Sequence, residues 1–224
     1  MKCLGITGGI GSGKSYIADL LRNELGVPVY DCDSRAKALI EEDRLTRQEL
    51  TSLLGPGVYR DGHLDKAFLS AYVFENEKQA AQVNAIVHPA VLRDFGRWYG
   101  THRQEGKVGL VGMETALLYE SGFHEHVDKV LFVRASEELR IRRAMNRNGA
   151  PRKDVERRIS LQHAQDFESQ ADYVIDNEDA SREELLRRLE QIVRDMDETR
   201  PPREWEDRQP QGSNNRERII KQKQ

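Results

Sequence analysis

Two hydrophobic periods alternate along this chain. Cys3-Leu4-Gly5-Ile6-Thr7 is short, mostly apolar and β-compatible, the pattern of a buried strand. It gives way to Ile17, Leu20, Leu21 and Leu25, spaced as one apolar face of a helix. Val27-Pro28-Val29-Tyr30 reads as a second strand ending at Asp31-Cys32-Asp33. Ser34 opens a long helical stretch through Ala36, Leu39, Ile40, Leu45, Leu50, Leu53 and Leu54, which Gly55-Pro56-Gly57 stops. Helical spacing resumes at Leu64, Phe68, Tyr72 and Val73, then Val83, Ile86 and Val87. His88-Pro89 is expected to interrupt it, because proline disfavours the α region for the residue before it.

Strand signals return at Val108-Gly109-Leu110-Val111-Gly112-Met113, at Val130-Leu131-Phe132-Val133 and at Tyr173-Val174-Ile175. Residues 114–122 read as a short helix or turn. Further helices are predicted from Ser136, from Pro151 through Val155, Ile159 and Gln162, and from the capping box Ser181-Arg182-Glu183-Glu184. Strands alternating with helices imply an α/β fold, a mostly parallel five-stranded sheet covered on both faces. Residues 34–106 break the alternation and are expected to form a helical insert between the second and third strands. The core is then 1–33 and 107–198. Residues 199–224 carry little that is apolar beyond Trp205, Ile219 and Ile220 and are not expected to fold alone.

Between the first strand and helix lies Gly8-Gly9-Ile10-Gly11-Ser12-Gly13-Lys14-Ser15, a match to G-x-x-x-x-G-K-[ST] in the strand–loop–helix context that motif requires. Glycines let successive backbone N–H groups turn inward around phosphate oxygens. The helix that follows aims its unpaired amides and positive dipole end at the same anion. Lys14 supplies a mobile cation for the β- and γ-phosphates, and the Ser15 hydroxyl is a hard ligand for Mg²⁺. The motif implies a three-layer phosphate-loop NTPase architecture.

Asp31 and Asp33 fall at the C-terminal edge of the second strand, the edge where open α/β sheets bind ligands. One could hold Mg²⁺ directly or through water while the other deprotonates an attacking hydroxyl; alternatively Asp33 caps the following helix. Glu114, directly after the third strand, is a candidate second Mg²⁺-facing carboxylate. Arg140, Arg142, Arg143 and Arg147 cluster towards Asn146-Arg147-Asn148-Gly149-Ala150-Pro151, which has the composition of a flexible lid spanning about residues 140–170.

Composition narrows the classes. A net charge of −3 over 224 residues leaves no basic excess for general nucleic-acid binding. No apolar run is long enough to span a bilayer and no secretory h-region opens the chain, so a cytoplasmic enzyme is expected. Cys3 and Cys32, expected on two different strands, read as reduced core thiols. The Asn-Lys-x-Asp guanine-reading motif is absent, which disfavours a GTP switch. A kinase for another small acceptor, such as a nucleoside monophosphate or sugar acid, and a nucleotide-binding scaffold without catalysis stay open.

Beyond the loop and Asp31-Cys32-Asp33, the chain carries Leu64-Asp65-Lys66, Val73-Phe74, Asn84 with His88-Pro89-Ala90-Val91, and Leu117-Leu118-Tyr119-Glu120-Ser121-Gly122. Arg143, Arg147, Arg158-Ile159, Gln162 and Ala171-Asp172-Tyr173-Val174-Ile175-Asp176-Asn177 follow. Together, from about Lys2 to Val193, these resemble the dephospho-coenzyme A kinase family. The resemblance implies transfer of the γ-phosphoryl of ATP, with Mg²⁺, to the ribose 3′-hydroxyl of dephospho-coenzyme A. It implies ATP binding by Gly9, Ile10, Gly11, Ser12, Gly13, Lys14, Ser15 and Tyr16, with Arg143 and Arg147 over the phosphates. Asp33 would be the base and Asp31 its neighbour near the metal, with Ser15 as metal ligand. Asn84, His88 and Leu117 would join Asp31 and Asp33 on the acceptor side. Tyr16, Lys66, Ala116 and Asn148 depart from the family pattern, as does the spacing between Gln162 and Ala171.

Overall fold

Five strands run parallel in the computed structural model, which describes residues 1–160, 162 and 164–198. They are β1 (Lys2–Thr7), β2 (Val29–Asp31), β5 (Leu110–Glu114), β6 (Lys129–Arg134) and β7 (Tyr173–Asp176). Their order across the sheet is β2-β5-β1-β6-β7. The glycine-loop strand β1 is therefore central, paired with β5 on one side and β6 on the other. The tail segment 199–224 lies outside the described residues.

Side chains alternate across the sheet because the strand period is two. Leu4, Ile6, Leu131, Val133 and Ile175 face one side, where they pack with α1 (Lys14–Glu24) and α8 (Arg182–Glu198). Cys3, Val111, Met113 and Val130 face the other, where they meet α2 (Cys32–Glu42) and α5 (Glu77–Glu105). Three layers result, helices on both faces of a parallel sheet. Cys3 and Cys32 are both buried free thiols, but Cys32 opens α2 and does not lie on a strand.

Between β2 and β5 the chain departs from its sequence pattern in three places. The stretch from Ser34 to Gly55 is two helices, α2 and α3 (Arg44–Leu54), broken at Asp43, whose carboxylate accepts from Thr46 N at 2.9 Å. The segment is also not wholly helical. Tyr59–Arg60 (β3) and His63–Leu64 (β4) form an antiparallel hairpin turning on Asp61 (φ 51°) and Gly62 (φ 83°). Asp-Gly is the residue pair that a turn with two positive φ angles selects.

The third departure is Pro89, which lies inside α5 rather than ending it. Val83, Val87, Ala90, Val91, Phe95 and Tyr99 bury one face of that helix against α2, α3 and α4 (Lys66–Val73). Burying large side chains contributes about 1.5–3 kcal/mol each. Several of them outweigh the roughly 3 kcal/mol that an interior proline costs. Asp94 on α5 accepts from Tyr30 Oη (2.7 Å) and Arg35 Nε (2.8 Å), tying the helix to the segment bearing Asp31 and Asp33.

Candidate active site

The phosphate loop folds as its glycines require. Gly8, Gly11 and Gly13 have φ of 146°, 79° and 96°, a region that side chains rarely adopt. A Cβ on Gly11 would stand 2.2 Å from the Arg140 carbonyl oxygen, and one on Gly13 would stand 2.1 Å from Asn177 Nδ2. Gly11→Ala is therefore expected to abolish nucleotide binding by displacing the loop. Titration with a fluorescent ATP analogue, with circular dichroism confirming the fold, checks this.

The loop is buttressed from three sides. Asn177, just past β7, donates from Nδ2 to Ser12 O at 2.8 Å. Arg140, buried on α6 (Glu137–Asn148), donates from Nε to Ile10 O at 3.0 Å and lies against Gly9. Gln162 accepts from Ile10 N at 2.8 Å and donates from Nε2 to Ala116 O at 3.1 Å. That last side chain joins the phosphate loop to the turn after β5.

Lys14, at the start of α1, is buried with its ammonium donating to Gly9 O at 3.2 Å. Burial pulls its pKa below the ordinary lysine value, while Glu114 and Asp33 pull the other way. Glu114 ends β5 in register with Ile6 on β1 and Asp31 on β2, so it sits between the two strand ends. Its Oε1 accepts from Ser15 Oγ at 3.2 Å. Burial raises its pKa, opposed by Lys14 and reinforced by Asp31 and Asp33.

Asp31 and Asp33 divide differently from the alternative the sequence left open. Asp31 is the helix cap: Oδ1 accepts from Ser34 N at 2.9 Å and Oδ2 from Ser34 Oγ at 2.6 Å. Asp33 lies in the first turn of α2, exposed, and accepts from Thr115 Oγ1 at 3.2 Å. The same Thr115 oxygen accepts from Leu117 N at 3.1 Å, so its one proton is committed to Asp33. The carboxylate is thereby oriented and kept an acceptor.

Asp33 opens onto a cleft of about 620 Å³ whose lining includes Asn84, Val87, His88, Leu117 and Phe123. Four of the five acceptor-side residues expected from sequence meet there; Asp31 is not among the lining residues. His88 is half-buried edge-on to Phe123, at 5.5 Å between ring centroids, and burial lowers its pKa, which favours the neutral imidazole.

The arginines also sit differently from a loop lid. Arg140, Arg143 and Arg147 all lie within α6, spaced to share a face, and the helix ends at Gly149 in the left-handed region. Arg143 Nη1 reaches Ser12 O at 3.5 Å, and the positive charge of Arg147 is felt at Lys14. Pro151 precedes α7 (Arg152–Ser160). Tyr16 is exposed on α1. The side chain of Asn148 lies outside what is described.

Two contributors were not singled out by residue chemistry. Arg140 belonged to the arginine cluster already picked out by its spacing, though not as a brace of the loop. Thr115 and Asn177 had no signal in spacing, because their roles depend on strand register. Among the described residues no cluster of three or more His, Cys, Asp or Glu could hold a metal, and no described helix is long and apolar enough to cross a membrane. A phosphate-bound Mg²⁺ asks for less, because it keeps several waters and takes one or two protein ligands. The Ser15–Glu114 pair suits it, and the buried, partnerless Ser12 Oγ suits a polar ligand in the loop.

A family model described as "Dephospho-CoA kinase" matches residues 2–183. The Dephospho-CoA kinase of Bacteroides fragilis (strain YCH46) is 40% identical over 176 residues, covering 78% of this chain and 84% of that protein. That of Geobacillus kaustophilus (strain HTA426) is 37% identical over 196 residues, covering 87% and 96%. The crystal structure of TT1252 from Thermus thermophilus aligns with a TM-score of 0.73 at 33% identity, over 89% of this chain and 98% of that one. A shikimate kinase from Acinetobacter baumannii, 12% identical with a TM-score of 0.53 over 89% and 96%, shares the fold.

Proposed function

The chain belongs to the dephospho-CoA kinase family, whose reaction is the final step of coenzyme A biosynthesis, and from that premise we propose how its residues perform the transfer. ATP is the donor and the ribose 3′-hydroxyl of dephospho-CoA the acceptor. The observation that carries this reading is the position of Asp33. It faces the acceptor cleft, and its charge is felt at Lys14 and Glu114 on the phosphate-loop side.

Loop residues 9–15 cradle the β- and γ-phosphates, with Arg143 and Arg147 above them and Tyr16 beside the α-phosphate. Arg140 and Asn177 hold the loop in shape. Asp33 accepts the 3′-hydroxyl proton as that oxygen bonds to the γ-phosphorus and the bond to the β–γ bridging oxygen breaks. Asn84, His88 and Leu117 orient the acceptor. Ser15 and Glu114 would hold Mg²⁺, with Asp31 contributing through water, and the metal would supply charge neutralisation between the phosphates. Segment 34–106 acts as the acceptor-binding part, and residues 140–170 as the closing part, of a kinase domain ending at 198.

A donor and acceptor matrix tests the proposal. ATP and GTP are each offered with dephospho-CoA, AMP and shikimate, with Mg²⁺ or with excess EDTA. Turnover is expected to be fastest for ATP with dephospho-CoA and to vanish in EDTA. A higher kcat/KM on AMP or shikimate overturns the acceptor assignment.

A further inference from the structure

The acceptor cleft is walled largely by apolar side chains, among them Ile40, Val73, Val83 and Val91. Two cations line it, Lys37 and Arg158. Both are exposed, and neither makes an ion pair with a described residue. Lys37 stands four residues after Asp33 on α2, so the two share one face of the helix, about 6 Å apart along its axis. Arg158 comes from α7, and its guanidinium carbon lies 5.9 Å from the centroid of the Phe74 ring, which lines the same cleft. Phe74 is 51% exposed at the end of α4. A planar cation held by an aromatic face is kept at the cleft without a carboxylate to neutralise it.

Resting on the acceptor reading above, we propose that Lys37 and Arg158 clamp the 5′-diphosphate of the acceptor. Dephospho-CoA carries two linked phosphates on the 5′ side of the same ribose whose 3′-hydroxyl must reach Asp33. The bonds from C3′ through C5′ to the first phosphorus cover a distance comparable to one helical turn. Asp33 and Lys37 therefore form a ruler: one measures the reacting hydroxyl, the other the first phosphate. Arg158 closes on the diphosphate from α7, where its flat fork can pair with two oxygens. The clamp makes the cleft selective for a nucleoside diphosphate ester over a nucleoside with the same hydroxyl.

The test uses the full chain with its nucleotide site saturated by a non-hydrolysable ATP analogue. Dissociation constants are measured for dephospho-CoA and for adenosine, which keeps the 3′-hydroxyl and lacks the diphosphate. Lys37→Ala and Arg158→Ala should each weaken dephospho-CoA by about 10- to 100-fold relative to adenosine. Equal losses for both ligands, or an unchanged preference, overturn the clamp. So does a loss confined to the ATP analogue, which would place the cations on the donor. Asp33→Asn, assayed for turnover in parallel, separates the two claims. Full activity in that variant removes Asp33 as the base and with it the point the clamp is measured from, whereas an inactive Asp33→Asn beside an unchanged preference removes the clamp alone.

Discussion

Asp33→Asn is expected to lower kcat on dephospho-CoA by about 10²- to 10⁴-fold, the usual worth of a positioned general base, while ATP binding persists. The substitution is a narrow one. Asn keeps an oxygen where Thr115 Oγ1 donates at 3.2 Å, so the side chain can hold its orientation. What it loses is the capacity to take a proton. Asp31 cannot take over, because it is held on Ser34 as the cap of α2 and does not line the acceptor cleft. Single-turnover quench with saturating Mg-ATP reads the chemical step directly. A parent-like rate there would show that Asp33 is not the base.

Lys14→Ala is expected to cost about 10²- to 10³-fold in kcat, as for removal of one preorganised donor to a developing charge. Lys14 is buried at the mouth of α1 with its ammonium on Gly9 O, where bulk water cannot substitute for it. Lys14→Arg should fail to rescue, because the longer planar head must fit where a compact ammonium meets a loop packed against Arg140 and Asn177. Steady-state kinetics on both variants decides the matter; an unchanged kcat in Lys14→Ala would remove the loop from phosphoryl transfer.

The sheet and the phosphate loop were legible because each rests on a local pattern. A buried parallel strand is a short apolar run, and the loop's glycines sit where positive φ is needed. Pro89 shows where local reading stops. Its cost is fixed and local, whereas the burial of Val83, Val87, Val91 and Phe95 that overrides it depends on partners far along the chain. The hairpin at Asp61-Gly62 carried a local signal that a helical background masked. Asp31 and Asp33 could be narrowed to a site by spacing, but their roles could not. Which of them caps the helix depends on where α2 begins, and helix ends are set to within a residue or two by the packing that follows. Thr115 and Asn177 reach the site through register between strands that are distant in sequence, a quantity no single stretch encodes.

The central place of β1 has a consequence for the newborn chain. β1 is an apolar strand made well before its partners: Lys2 pairs with Leu110, and Leu4 with Lys129. During synthesis that strand must wait, unpaired, until the segment carrying Leu110 has been made, and Asn177 cannot brace Ser12 until well after that. Non-local pairing of this kind is slow and leaves sticky edges exposed in the meantime. The strand that carries the phosphate loop is thus made before every partner it needs, and a ribosome-bound fragment ending before β7 should have the insert's helices yet hold no nucleotide.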